Sequence, residues 1–331
     1  MRHTFQALVV RVSDDKNYTR AIEERSIDDL PQGEVLIRVH YSSLNYKDGL
    51  SCIGDRGVTR HYPHTPGIDA AGIVEFCDSS KFKAGDSVVI ISYDLGANTA
   101  GGFGQFIRVP DDWVMPLPKG LSLRESMIYG TAGFTAGLCV NALQHHGLTP
   151  ERGPIVVTGS TGGVGSVSVA LLAGLGYSVS ASTGKPDAEN FLKKLGASKV
   201  IERKAVNDES GRTILKEVWA GAIDTVGGNT LATLLKACKQ GGAVAATGLV
   251  ESTKLPITVF PFIWRGVSLI GIYASGNTMS MRRKIWSRLA QEWKLDELES
   301  LAIECTLEQL NPEIDRILAG GQRGRVVVNM Q

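Results

Sequence analysis

The stretch Gly159-Ser160-Thr161-Gly162-Gly163-Val164-Gly165 follows an apolar segment, 155–158, and runs into an apolar helical pattern over 163–175. Glycines at a strand-to-helix turn let the main chain approach a pyrophosphate with no Cβ in the way, and the helix N-terminus offers unpaired N–H donors. The chemistry this points to is dinucleotide binding. A strict GxGxxG frame ending at Gly165 would begin at Ser160, so its first glycine is missing and Gly159 stands one place earlier. A plain tight turn is the competing reading, and the flanking strand and helix weigh against it.

Twenty residues beyond Gly162, where a carboxylate would hold a ribose 2′-hydroxyl, the chain reads Ser180-Ala181-Ser182-Thr183-Gly184-Lys185. Small hydroxyls with Lys185 suit a 2′-phosphate, and Arg203 could reach the same pocket with its bidentate fork. Asp187 is the competing feature, although its place after Pro186 fits a helix N-terminal turn. The expected cofactor is therefore NADPH rather than NADH. None of the eight tyrosines has a lysine four residues on, which excludes the Tyr-x-x-x-Lys acid of short-chain reductases. The five cysteines are scattered without a CxxC pair and are read as reduced thiols. His61 and His64 lack carboxylate or thiolate neighbours, and His145-His146 reads as a solvated helix end.

These residues need a scaffold. The chain has 331 residues, enough for two domains with a sizeable core, and Lys plus Arg at 35 against Asp plus Glu at 34 leaves no field to hold a polyanion. Nucleic acid is not an expected partner. The N-terminus shows no basic-then-apolar leader, and the uncharged run 153–184 is interrupted by Gly, Ser and Thr, so neither a signal peptide nor a membrane span is expected. Short strands are expected at 7–12, 34–41, 71–76, 87–91 and 106–109, then a helix over 126–142. Beyond 154 strands and helices alternate: strands at 155–158, 178–182, 199–201, 221–225, 243–247 and 268–272, helices at 163–175, 188–195, 213–219 and 230–238. That alternation predicts an α/β fold with a doubly wound parallel (Rossmann) sheet, beside a β-rich unit. A helix over 281–293 and a strand over 325–328 close the chain.

A β-rich N-terminal unit before a nucleotide domain resembles the medium-chain dehydrogenase/reductase superfamily. The stretches that carry the resemblance are 66–74, 85–88, 101–106, 195–197 and 320–328. It implies a GroES-like domain over 1–125, completed by about 276–331, and a Rossmann NADP-binding domain over 126–275. In zinc members of the superfamily a Cys and a His face the cleft; the matching positions here are Asn45 and Ile68, so no metal is expected. Ser43-Leu44-Asn45-Tyr46-Lys47-Asp48-Gly49, Tyr129-Gly130-Thr131-Ala132-Gly133-Phe134-Thr135-Ala136 and Trp219-Ala220-Gly221-Ala222-Ile223-Asp224 are similar to the YhdH/YhfP quinone oxidoreductases, which include acryloyl-CoA reductases. That resemblance implies NADPH contacts at Tyr46, at Ser160, Thr161, Gly162, Gly163 and Val164, at Thr183, Gly184 and Lys185, at Arg203, and near Leu249 and Ile263.

Without a metal, polarising an unactivated alcohol is difficult, whereas an alkene conjugated to a carbonyl accepts hydride readily. The expected reaction is NADPH-dependent reduction of a 2-enoyl thioester such as acryloyl-CoA, with Tyr46 as acid, oriented by Asn45 and Lys47. An alternative role for Tyr46 is a hydrogen bond to the nicotinamide ribose while water delivers the proton. Reduction of a quinone or another enone, and a catalytically silent NADPH-binding protein, are the alternative functions. Arg56, Arg60 and Arg265 are expected as solvated charges, with contact to a CoA phosphate left open. A small-molecule substrate, a homodimer and a cytoplasmic location complete the expectation.

Overall fold

The computed structural model describes residues 4–331. It divides into two compact units, one holding the chain up to Thr131 with Ser275–Gln291 and Asp296–Gln331, the other Ala132–Ala274 with Glu292–Leu295. The first unit opens with β1 (Thr4–Val12), β2 (Tyr18–Ser26), β3 (Val35–Leu44), the short helix α1 (Tyr46–Cys52), β4 (Asp69–Cys77), β5 (Ser87–Ile91), β6 (Phe106–Val109) and β7 (Met115–Pro116). Helix α2 (Leu123–His145) then carries the chain into the second unit. There β8 (Ile155–Val157), α3 (Gly163–Gly174), β9 (Val179–Thr183), α4 (Glu189–Lys194), β10 (Lys199–Glu202), β11 (Trp219–Asp224), α5 (Gly228–Ala237), β12 (Cys238–Ala246), α6 (Phe260–Arg265) and β13 (Ser268–Gly271) follow. The return segment contributes α7 (Met279–Ala290), β14 (Ala302–Thr306), α8 (Leu310–Leu318) and β15 (Arg325–Asn329).

In the first unit β3 is the hub, paired antiparallel with β15, β4 and β6. Val35, Ile37 and Val39 point into the core while Arg38 faces solvent, the alternation of a sheet with one buried face. They pack with Leu8, Ile90, Phe103 and Ile107. The last strand, β15, lies between β14 and β3, so it is paired on both sides, one strand in from the edge of the sheet. The charge-rich β2 buries no residue and is held by nine-residue register with β1, from Thr4 opposite Ser26 to Val12 opposite Tyr18. It carries no strand signal in the sequence, because only Tyr18 and Ile22 on its inner face are apolar, and these pack half-buried against the core.

The second unit is a six-stranded parallel sheet in the order β10-β9-β8-β11-β12-β13. Numbered from β8, this is the 3-2-1-4-5-6 order of a dinucleotide-binding fold, and the direction of winding reverses between β8 and β11. The uncharged run expected to stay out of a membrane forms β8, α3 and β9, and no helix among the described residues is long and apolar enough to cross one.

The helix expected over 213–219 is absent. Its apolar spacing is helical, yet Leu215 and Val218 donate their N–H groups to the Lys236 and Ala237 carbonyls, and Trp219 pairs with Cys238 as the first residue of β11. Those sheet-edge bonds satisfy the backbone better than a short helix would. Arg265, expected as a solvated charge, is the pin: its guanidinium donates to the carbonyls of Leu215, Lys236 and Cys238. The helix expected over 126–142 is interrupted at Gly130, whose φ of 51° and ψ of −155° are not helical. The helix expected to run to 238 stops at Ala237 because Cys238 opens β12, and the one expected to run to 293 stops at Ala290. All five cysteines are free thiols.

Val326, Val327 and Val328 are buried, and each contributes about 1.5–3 kcal/mol, together comparable to the 5–15 kcal/mol that holds a domain folded. A chain ending at Gly324 is therefore expected to be insoluble or to lack a cooperative urea transition, and a soluble product with an unchanged transition would show that β15 is dispensable.

Candidate active site and dinucleotide cradle

In the second unit, the turn after β8 is shaped by close backbone contacts. Gly159 has a φ of 56°, and a Cβ on Gly165 would lie 2.2 Å from the Gly159 carbonyl oxygen, so neither position accepts a side chain without displacement. The Gly162 N–H donates to that same carbonyl at 2.9 Å, while buried Ser160 turns its hydroxyl back to the Val157 carbonyl at 2.7 Å. Thr161 is buried as well, leaving Gly162, Gly163 and Val164 to open α3. The first-turn N–H groups of a helix have no intrahelical acceptor, which makes this end of α3 an anion-binding surface.

The floor of the turn is a buried carboxylate. Thr158 Oγ1 donates to Asp224 Oδ1 at 2.6 Å and the Gly227 N–H donates to Oδ2 at 2.7 Å, joining the ends of β8 and β11 where the winding reverses. Burial pushes the Asp224 carboxyl above its ordinary value. Asp224 ends the stretch 219–224, whose local pattern marks a strand and carries no sign of this contact.

At the end of β9, the Lys185 N–H donates to Thr183 Oγ1 at 3.0 Å. The Arg203 guanidinium, on the turn after β10, lies alongside Gly184: a Cβ there would be 3.0 Å from its Nη2. Thr183, Gly184, Lys185 and Arg203 thus come together at one corner, and Asp187 lies on the short turn Pro186–Ala188 that follows Lys185. Leu249 packs its backbone over Gly227 and exposes 65% of its surface; Ile263 stands 71% exposed on α6.

In the first unit, Asn45 and Tyr46 sit at the start of α1 with opposite surroundings. Asn45 is buried, and its amide donates to Asp69 Oδ2 at 2.7 Å and to the Ser43 carbonyl at 3.2 Å. Both amide hydrogens are therefore committed. Tyr46 is 41% exposed, and its hydroxyl has no hydrogen-bond partner among the described residues.

Asp69, wholly buried at the start of β4, organises this region. Its carboxylate accepts from Ser43 Oγ at 2.6 Å, from Thr131 Oγ1 at 2.5 Å and from the Thr131 N–H at 3.0 Å, with Arg325 Nη2 at 3.8 Å. Arg325 also donates to Ser43 Oγ and to the carbonyls of Leu44 and Ile128. Gly130 is the reason α2 breaks here: a Cβ would lie 2.4 Å from Asp69 Oδ2 and 2.5 Å from Ser43 Oγ. A second buried carboxylate, Asp48, accepts from the N–H groups of Asn45 at 2.8 Å, Gly67 at 3.2 Å and Ile68 at 2.8 Å, tying α1 to the chain entering β4. Asp48, Asp69, Thr131 and Arg325 all lie within stretches quoted for the resemblance, but spacing alone could not show that they meet.

The residues at the positions that hold zinc elsewhere in the superfamily do not fit a metal here, since Ile68 has no donor atom and the Asn45 amide is bonded to Asp69. Among the described residues no three His, Cys, Asp or Glu side chains stand together as a metal site. His64, buried, meets the Gly96 carbonyl through Nε2 at 2.9 Å, while His61 is exposed.

Residues 31–119 match the alcohol dehydrogenase GroES-like domain family and residues 163–291 the zinc-binding dehydrogenase family. The chain is 46% identical to acrylyl-CoA reductase AcuI of Ruegeria pomeroyi, covering 98% of this chain and 99% of that protein. It is 44% identical to Bacillus subtilis YhfP, which carries a quinone oxidoreductase name and whose structure with NAD bound superposes with a TM-score of 0.96 over 99% of each chain. The Salmonella enterica yhdH oxidoreductase in complex with NADP is 41% identical, with a TM-score of 0.95 over 98% of this chain and all of that one.

Burial and the Asp69 charge push the Asp48 carboxyl up to about 7, against the hydrogen bonds from Asn45 and Ile68 that pull it down. An unfolded aspartate titrates near 4, so between about pH 4 and pH 7 the folded state holds a proton that the unfolded state has lost, and stability falls as pH rises through that window. Relative to Asp48→Asn, the wild type is expected to lose on the order of 2 kcal/mol between about pH 5 and pH 8 in urea unfolding. Parallel pH curves for the two proteins would contradict this.

Proposed function

Because the chain belongs to the family of YhdH/YhfP-type quinone oxidoreductases and acrylyl-CoA reductases, within the medium-chain dehydrogenase/reductase superfamily, we propose that it is an NADPH-dependent, zinc-independent reductase of the C=C bond of a 2-enoyl thioester such as acryloyl-CoA, yielding propanoyl-CoA. The observation that carries this reading is the Asn45–Asp69 contact beside Ile68. With an amide and a hydrocarbon at these positions there is no cation to stabilise an alkoxide, so an alkene already conjugated to a carbonyl is the better substrate. A quinone is the second reading, favoured by the 44% identity to YhfP. A cytoplasmic homodimer is the proposed setting, supported for the dimer by the open edge of β13, where Leu269 and Tyr273 are exposed.

The second unit fits the cofactor. The glycine turn and the start of α3 would take the pyrophosphate, Thr183, Lys185 and Arg203 the 2′-phosphate, with Leu249, Ile263 and Tyr46 as further contacts. When bound, NADPH supplies the hydride that the β-carbon of the substrate receives. Negative charge then builds on the thioester oxygen and the α-carbon needs a proton. Tyr46 is the proposed acid, its unpartnered hydroxyl free to donate. Asn45 is the positioning residue, since its bonds to Asp69 and Ser43 fix the first turn of α1 and so the backbone that carries Tyr46.

Arg203→Ala is expected to weaken NADPH binding by about 1.5–3 kcal/mol, the loss of a charge-assisted phosphate contact, while NADH binding stays within twofold. Equal losses for the two cofactors would remove Arg203 from the phosphate corner. For the reaction, kcat/KM measured side by side for acryloyl-CoA, crotonyl-CoA and a simple quinone is expected to be highest for a CoA ester. In the same assay Tyr46→Phe should lower kcat for acryloyl-CoA by about 10²–10⁴-fold and affect the quinone less, because protonation on oxygen needs no positioned acid. A quinone preference would favour the second reading, and equal losses with weaker NADPH binding would leave Tyr46 as a cofactor contact only.

A further inference from the structure

Beyond α1 the chain forms a folded loop that no part of the mechanism uses. Its Asp55 N–H donates to the Leu50 carbonyl at 3.1 Å, bending the loop back onto the last turn of α1, and the Val58 and Thr59 N–H groups both donate to the Asp55 carbonyl at 3.0 Å. Ser51 and Thr59 hydroxyls meet at 2.7 Å, and the Tyr62 hydroxyl donates to the Ser51 carbonyl at 2.6 Å. The Arg60 N–H is held by Asn98 Oδ1 at 3.1 Å. This is a fixed platform.

Its surface carries charge without partners. Arg11, Arg20, Arg38 and Arg124 of the same unit each meet a carboxylate. By contrast the Arg60 guanidinium, the His61 ring and the Lys47 ammonium on α1 have neither hydrogen bond nor ion pair among the described residues, and Arg56 donates only to the Arg60 carbonyl. The one acid of the loop, Asp55, accepts through Oδ1 from the Gly57 N–H at 2.8 Å. Ile53, 52% exposed, stands between the helix and the arginines. Lys47 follows Tyr46 directly, and α1, at seven residues, is about 10 Å long, a span that an extended pantetheine arm covers.

We propose that the strip formed by Arg56, Arg60 and His61 docks the phosphate-bearing end of the acyl carrier, the diphosphate and 3′-phosphate of a coenzyme A thioester. This rests on the reading of the substrate as an acyl-CoA and specifies what holds its carrier. Guanidinium forks suit phosphate oxygens, and Ile53 offers the uncharged arm an apolar contact. A substrate lacking the nucleotide makes none of the ionic contacts, so the strip separates CoA esters from simple enones of the same reactivity.

The test is the double variant Arg56→Ala with Arg60→Ala, assayed on acryloyl-CoA and on acryloyl-pantetheine, which has the same reacting group without the nucleotide. The ratio of kcat/KM for the CoA ester over the pantetheine ester is expected to fall about tenfold, less than buried pairs would give because the strip is exposed. An unchanged ratio would overturn the proposal. Calorimetric titration with CoA itself keeps the two readings apart: a wild type that does not reduce acryloyl-CoA yet binds CoA, with binding lost in the double variant, would overturn the reaction and uphold the strip. CoA bound equally by both proteins, or by neither, would overturn the strip.

Discussion

A carboxylate with no access to water needs hydrogen-bond donors in its place, and Asp69 has them. Its partners come from β3, the first residue before α1, the break in α2 and, through Arg325, the last strand, segments separated by up to 282 positions in the chain. Removing one partner of such a group costs about 3–5 kcal/mol, more than the group contributes relative to an apolar core, so its value lies in specifying one arrangement. The same constraint explains the break in α2. Only a glycine at 130 leaves room for the Asp69 and Ser43 oxygens, and its non-helical φ brings the Thr131 N–H onto the carboxylate.

Asp224 does the equivalent work in the second unit. It joins Thr158, at the end of β8, to Gly227, ahead of α5, and so fixes the two strand ends that flank the switch in winding. The glycine turn rests on that floor, with Gly159 against Thr225 and Gly165 against the Gly159 carbonyl. Each unit therefore has a buried acid at its centre, Asp224 bonded by a hydroxyl and a backbone N–H, Asp69 by hydroxyls, a backbone N–H and the Asn45 amide. The exposed side chains Tyr46 in one and Arg203 in the other make no side-chain hydrogen bond among the described residues.

Neighbouring residues in the chain can have unrelated tasks in this arrangement. Asn45 is locked and Tyr46 is open, although they are adjacent, because the chain passes from β3 to α1 between them. Asp48 two residues on is locked again, aimed at the backbone of Gly67 and Ile68. One short stretch holds a bonded amide, an exposed phenol, an ammonium without a partner among the described residues and a buried acid, and helical geometry sorts them between core and surface.

What the amino-acid order determined by itself was what had a local period or a local turn: the parallel strands between 155 and 272, the helices near 163–174, 189–194 and 228–237, the glycine turn into α3 and the absence of a carboxylate at the end of β9. Period and turn chemistry are properties of a few consecutive residues, so they can be read in one dimension. The tertiary structure alone decided the rest. Helical spacing at 213–219 gave way to hydrogen bonds from the Leu215 and Val218 N–H groups to the Lys236 and Ala237 carbonyls, and polar β2 exists because β1 offers it an edge. Asp69, Thr131 and Arg325 became one cluster only when strands far apart in sequence were paired, because burying a charge is favourable only where every partner has already been brought to it.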